Sequence, residues 1–131
     1  MITVLACGCF DLLHVGHILH LQEAALLGDR LIVALTVDEC VNKPGRPINP
    51  WRDRSCALLA LGCVDSVIAS KNAATAIYAV RPQIFVKGSD YEGAMPYEDV
   101  SACMEVGARI VTTMSPKYST TALIEKIRAS A

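Results

Sequence analysis

Two histidines three residues apart, His14 and His17, close the stretch Gly8-Cys9-Phe10-Asp11-Leu12-Leu13-His14-Val15-Gly16-His17. The stretch follows a short apolar run and precedes a segment with helical apolar spacing. If a helix begins at or just before the pair, a spacing of three puts both rings on neighbouring positions of its first turn. The free backbone N–H groups and positive end of a helix start form an anion site there. Imidazole N–H groups can donate to phosphate oxygens, and Gly16 leaves the backbone open to close approach. This set of groups suits a phosphorus centre that gains negative charge during reaction. The competing reading is a pair of satisfied core histidines. A zinc site needs three or four N or S ligands, and the third histidine, His20, lies about 240° round a helix from His14.

Four cations, Lys43, Arg46, Arg52 and Arg54, fall within twelve residues of a chain whose net charge is -1. Residues 42–50, Asn-Lys-Pro-Gly-Arg-Pro-Ile-Asn-Pro, form a loop, because three prolines and a glycine exclude strand or helix interior. Asn49 can cap a helix with Pro50 as its first residue. Arg52 and Arg54 in the first turns of that helix oppose its macrodipole unless an anion lies nearby. A polyphosphate accounts for the whole cluster; a solvated face accounts for any one member. Lys87-Gly88-Ser89-Asp90-Tyr91 is either a tight turn or the wall of a base or ribose site. Ser119-Thr120-Thr121 is at minimum a helix cap, and the same hydroxyl and N–H groups can hold outer phosphates.

These groups must be positioned by a scaffold. With 131 residues, 53% hydrophobic, and a mean hydropathy of +0.38, the chain suits one domain over residues 1–131 with a fully buried sheet. Its apolar runs are too short to span a bilayer, and residues 1–6 have no positive leader region, so a cytoplasmic protein is expected. The charge balance gives no overall field for nucleic acid or membrane. Cys7, Cys9, Cys40, Cys56, Cys63 and Cys103 show no paired spacing and read as small buried apolar residues.

Continuous apolar runs at residues 2–7 and 31–37 predict buried strands, with further strands at 64–68, 83–86 and 108–113. Helices are expected at 17–27, ended by Gly28, and at 51–61, 73–80, 97–106, ended by Gly107, and 122–129. This alternation predicts an α/β fold, a Rossmann-like open parallel sheet of about five strands with helices on both faces. Ligands of such sheets collect at the carboxyl ends of the strands, where strand order reverses. Each polar cluster above follows a strand at that end.

Residues 8–17 resemble the G-x-F-D-x-x-H-x-G-H signature of the cytidylyltransferase-like nucleotidyltransferases. Tyr118-Ser119-Thr120-Thr121-Ala122-Leu123-Ile124 resembles their second, C-terminal motif. Within that family, Gly45-Arg46-Pro47-Ile48-Asn49-Pro50 and Val86-Lys87-Gly88-Ser89-Asp90-Tyr91 are most similar to the adenylyltransferase module of heptose-phosphate enzymes, which has a glycine where this chain has Ser89. Asp90-Tyr91-Glu92-Gly93 is also similar to glycerol-3-phosphate cytidylyltransferase.

The resemblance implies attack of an acceptor phosphate on the α-phosphorus of ATP or CTP, ATP being favoured, with Mg²⁺ on the phosphates and no metal ligands from protein side chains. It implies catalytic roles for His14, His17 and Lys43. Nucleotide and phosphate contacts are implied for Gly8, Cys9, Phe10, Gly16, Arg46, Arg54, Lys87, Gly88, Asp90, Tyr91, Ser119, Thr120 and Thr121. Asp11 and Asp38 are candidates on the substrate side, Asp11 fitting loop fixation better. The family suggests a homodimer. Alternatives are an FMN adenylyltransferase and, in a different class, a non-catalytic nucleotide-binding module.

Overall fold

A strand covered on both faces reads as a near-continuous apolar run, and residues 2–7 and 31–37, broken only by Thr3 and Thr36, have that pattern. In the structure, a computed structural model describing residues 1–88, 95–115 and 119–130, they become β1 (Thr3–Gly8) and β2 (Arg30–Thr36). β3 (Ser66–Ser70), β4 (Ile84–Lys87) and β5 (Arg109–Thr112) complete one sheet in the order β3-β2-β1-β4-β5. All neighbouring pairs are parallel. The helices are α1 (Val15–Ala25), α2 (Trp51–Leu59), α3 (Ala73–Val80), α4 (Tyr97–Val106) and α5 (Thr120–Ser130). The Rossmann-like sheet expected from the alternation is therefore present, and its order reverses between β1 and β4.

Alternate residues of a strand face opposite sides of the sheet, and β1 shows how this builds three layers. Val4 and Ala6 pack with Leu21 and Ala24 of α1 and Leu58 of α2 on one side. Leu5 packs with Ala76 and Ile77 of α3 and Ala102 and Cys103 of α4 on the other. Helix α5 carries no buried side chain. Among the described residues, no helix is long and apolar enough to cross a membrane.

Several local expectations change. Helix α1 starts two residues earlier than its apolar spacing predicts, because His14 caps it. Residue Asn49 does not cap α2; the N-cap is Pro50, without a side-chain bond, and the Asn49 amide donates to the Asp11 carbonyl instead. Val64 lies before β3, its N–H bonded to the Leu61 carbonyl. Gly107 does end α4, with φ 74°. Cys56 is exposed on α2, unlike the buried cysteine expected there, while burial pushes the Cys7 thiol up to about 12. Such a thiol stays protonated at neutral pH.

Gly28 is needed for space and is not the cap of α1, which ends at Leu26 in a right-handed conformation. An added Cβ at Gly28 would lie 2.7 Å from Val4 Cγ2 and 2.8 Å from the Ile2 carbonyl oxygen. The same carbonyl accepts from the N–H groups of Asp29 and Arg30, so it cannot retreat freely. Gly28→Ala is expected to destabilise the fold by about 1–3 kcal/mol, the usual range for overpacking, read from the midpoint of denaturant unfolding.

Candidate active site

The site begins where β1 ends. Gly8 is the last residue of that strand, and the turn expected from it is made instead by Phe10, whose φ of 44° is left-handed. A non-glycine residue held there costs about 1–3 kcal/mol and needs strong surroundings. Those surroundings are the strand itself: an added Cβ on Gly8 would lie 2.9 Å from Phe10 Cε2. The bare glycine thus accepts the folded-back ring, which is only 6% exposed. Its edge meets His17, ring centroids 5.4 Å apart.

The two histidines cap α1 reciprocally. The Gly16 N–H donates to His14 Nδ1 at 3.1 Å, and the His14 N–H donates to His17 Nδ1 at 3.3 Å. A backbone N–H can only donate, so Nδ1 of each ring is the acceptor and the proton of the neutral imidazole sits on Nε2. Both rings are thereby N–H donors with no lone pair left for a metal. They stack with centroids 3.8 Å apart. Burial holds His14 below the ordinary histidine pKa, and stacking disfavours charge on both rings together. The arrangement can stabilise negative charge on a phosphate by donation.

Beneath the histidines, carboxylates and guanidinium groups tie three segments together. Asp11, 4% exposed, accepts from Arg46 Nε, from the Ile48 N–H at 2.8 Å and from the Asn49 N–H at 2.9 Å. Burial alone would push its carboxyl up, but the Asn49 and Ile48 N–H groups and Arg46 outweigh it and hold the pKa below the usual carboxylate value. Asp11 is therefore a loop anchor, not the substrate group considered as its alternative. Arg54, 1% exposed, donates to the carbonyls of Asn49, Cys9 and Thr36 and to Asp38. The anion that the α2 arginines call for is in this respect Asp38, and Asp38 in turn serves Arg54. A direct phosphate role for Arg54 does not fit a guanidinium so enclosed.

The cationic cluster therefore divides. Arg46 and Arg54 hold the scaffold, whereas Lys43 and Arg52 are exposed. Lys87 and Gly88 stand at the carboxyl end of β4, beside the strand-order reversal. The Ser119 hydroxyl accepts from the Ala122 N–H at 3.2 Å, so the expected cap of α5 is present, with Thr120 and Thr121 in its first turn. Asp90 and Tyr91, expected at the base, lie outside the described residues, as do Ser89, Lys117 and Tyr118. Residue spacing did not reveal Thr36, whose hydroxyl donates to the Gly8 carbonyl, or Trp51, whose indole N–H donates to the Leu35 carbonyl. Among the described residues, no three His, Cys, Asp or Glu side chains group as metal ligands.

A parallel sheet that reverses its order at β1, with a histidine-capped helix at the reversal, is a doubly wound α/β domain of the kind whose ligands collect at that reversal. The pattern of the cytidylyltransferase-like family matches residues 5–126. The chain belongs to that family of nucleotidyltransferases. Bifunctional protein HldE of Aliivibrio salmonicida is 42% identical over 135 residues, covering 96% of this chain and 28% of that protein. The Methylococcus capsulatus HldE is 40% identical over 127 residues, covering 92% and 27%. The chain thus spans less than a third of the length of these relatives.

Among solved structures, the lipopolysaccharide core biosynthesis protein from Thermoplasma volcanium is similar with a TM-score of 0.72 at 30% identity, covering 91% of this chain and 99% of that one. Thermotoga maritima TmcAL, solved with alpha-thio ATP, has a TM-score of 0.72 at 15% identity over 99% of this chain and 51% of that one, a likeness of fold alone.

Removing the Asp11 carboxylate leaves Arg46 and two loop N–H groups without it. Asp11→Ala is expected to cost about 3 kcal/mol at pH 7, as for a broken buried ion pair. Because the folded state lowers the Asp11 pKa, its contribution is present above the ordinary carboxylate pKa and lost as pH falls below about 4. The stability gap between wild type and variant should narrow in that window in urea titrations at pH 7 and pH 3.

Proposed function

We propose that residues 1–131 form a single nucleotidyltransferase domain that moves AMP from ATP to a sugar phosphate of the heptose 1-phosphate type, releasing pyrophosphate. The observation that carries the reaction is the reciprocal histidine cap, which makes His14 and His17 neutral Nε2–H donors at one helix start. The choice of acceptor is supported by the likeness to HldE and to the lipopolysaccharide core biosynthesis protein. A role in lipopolysaccharide precursor synthesis, in the cytoplasm and as a homodimer, belongs to the same reading.

In this mechanism an acceptor phosphate oxygen attacks the α-phosphorus in line, and the bond to the bridging oxygen of pyrophosphate breaks. The acceptor is already largely dianionic, since the second pKa of a phosphomonoester is about 6, so no general base is needed. His14 and His17 donate to the α-phosphate as its charge grows, and exposed Lys43 adds positive charge there. Gly8, Cys9, Phe10 and Gly16 shape the backbone around it. Ser119, Thr120 and Thr121 bind the outer phosphates, and Lys87, Gly88, Asp90 and Tyr91 line the base and ribose side. Mg²⁺ brought with the triphosphate would supply charge compensation at its phosphate oxygens.

The second reading, CTP:glycerol-3-phosphate cytidylyl transfer, is favoured by the stretch Asp90-Tyr91-Glu92-Gly93. Pyrophosphate release should be measured with ATP and CTP against heptose 1-phosphate, glycerol 3-phosphate and FMN. ATP with heptose 1-phosphate is expected to give the highest kcat/KM. Tight nucleotide binding without release from any pair would establish a binding module and sink the enzyme.

His14→Asn separates capping from chemistry. The Asn side-chain oxygen can accept from the Gly16 N–H, so the helix start persists, with caps of this kind differing by about 1 kcal/mol or less. The Nε2–H donor is lost, and kcat should fall on the order of a hundredfold. Burial lowers the His14 pKa in the folded state, so below about pH 6.5 the unfolded chain takes this proton first. Wild-type stability therefore falls with acidification from that pH, and the variant should lose less over the same range. Full activity in a folded His14→Asn protein would rule the mechanism out.

A further inference from the structure

The flank of α1 that carries His17 continues through His20 to Glu23, three residues at a time. His20 and Glu23 reach the exit of β5. His20 Nδ1 lies 2.8 Å from Thr113 Oγ1, and Thr113 is 1% exposed. The Glu23 carboxylate accepts from the Met114 N–H at 2.7 Å through Oε2 and from the Ser115 hydroxyl at 2.9 Å through Oε1. The Thr113 N–H also donates to the Lys87 carbonyl at 3.0 Å.

All three anchored residues lie beyond Thr112, the last residue of β5 paired with β4. The Thr113 N–H to Lys87 bond is the last ladder bond, and the His20 and Glu23 side-chain contacts lie beyond the paired residues of the sheet. They fix the direction in which the chain leaves it, a few residues before Ser119 and α5. Helix α5 has no fully buried side chain, only Thr120, Leu123 and Ile124 being half-buried, so its own packing fixes its N-terminus less firmly than the core helices are fixed. A two-oxygen carboxylate clamp on consecutive residues is, in contrast, strongly directional.

We propose that Glu23 and His20 are positioning residues for the second phosphate motif: α1 sets His14 and His17 at its start and, from its later turns, sets the approach to Ser119, Thr120 and Thr121. This rests on reading the latter as the outer-phosphate site. One rigid helix then holds both halves of the triphosphate site in register, which positioning-dominated catalysis requires.

The test is calorimetric binding to the full chain, independent of acceptor and turnover. ATP and AMP are titrated into wild type, Glu23→Ala, Glu23→Gln and His20→Ala, with CTP and CMP as a parallel pair. AMP lacks the outer phosphates and reports the rest of the site. Loss of one or two charge-assisted bonds predicts about tenfold weaker ATP binding by Glu23→Ala, with AMP binding changed by less than about twofold. Glu23→Gln retains an acceptor oxygen and a polar amide and should recover most of the loss. His20→Ala should show the same selectivity at about threefold.

Equal weakening of triphosphate and monophosphate, or unchanged ATP binding in folded Glu23→Ala and His20→Ala, would overturn the proposal. Should Glu23→Ala not fold, the ratio of ATP to AMP binding in His20→Ala decides it. Wild type that binds neither triphosphate would overturn the nucleotide reading itself, a different result from loss of selectivity in the variants.

Discussion

The buried guanidinium of Arg54 is the constraint on which the site's frame depends. It carries five N–H donors, and four acceptors from separate stretches converge on it: the carbonyls of Cys9, Thr36 and Asn49, and Asp38. These are the turn after β1, the end of β2, the loop before α2 and the stretch between β2 and that loop. A side chain with no solvent access holds its charge only when so surrounded. Asp11 repeats the principle with opposite sign, drawing Arg46 and the backbone of residues 48 and 49 onto the signature turn. Neither pair needs to meet a ligand to matter: together they decide where Lys43 and the histidine turn stand relative to each other.

On this frame, the histidine pair combines two tasks usually given to different residues. A helix start needs acceptors for its first N–H groups, commonly supplied by Ser, Thr, Asp or Asn. Here imidazole Nδ1 atoms do so, and each ring keeps its proton on the far nitrogen. Capping thus determines the tautomer, and the tautomer determines that the rings donate. Phe10, strained and folded onto Gly8, supplies the edge against which His17 rests. The motif is one packed unit in which glycine, aromatic ring and histidines require one another.

Much of this was legible in order and type. Strands buried on both faces need unbroken apolar runs, and helices between them need spacing near 3.6, so the alternation that makes the sheet could be read directly. Among the described residues, the carboxyl-edge location of the histidine turn, the 38–54 segment and Lys87–Gly88 followed from chain direction in a parallel sheet. What spacing could not reveal was the partner of each charge. Arg54 and Lys43 look alike in a run of cations, yet one is enclosed by carbonyls and the other stands in solvent. Asn49 before Pro50 has the pattern of a cap, but its amide serves Asp11, thirty-eight residues earlier. Gly28 after a helix reads as a terminator, while its actual requirement is the approach of residues 2 and 4.

By itself, then, the sequence determined the βα alternation, the strand ends that the described polar clusters follow, and the histidine pair at a helix start, because these rest on local period and on neighbours within a few residues. Tertiary structure alone decided which cations are scaffold, which glycine is space and which is turn, and that α1 reaches across to the exit of β5. Those outcomes rest on contacts between residues tens of positions apart, whose distances are set only when the sheet brings the strand ends together.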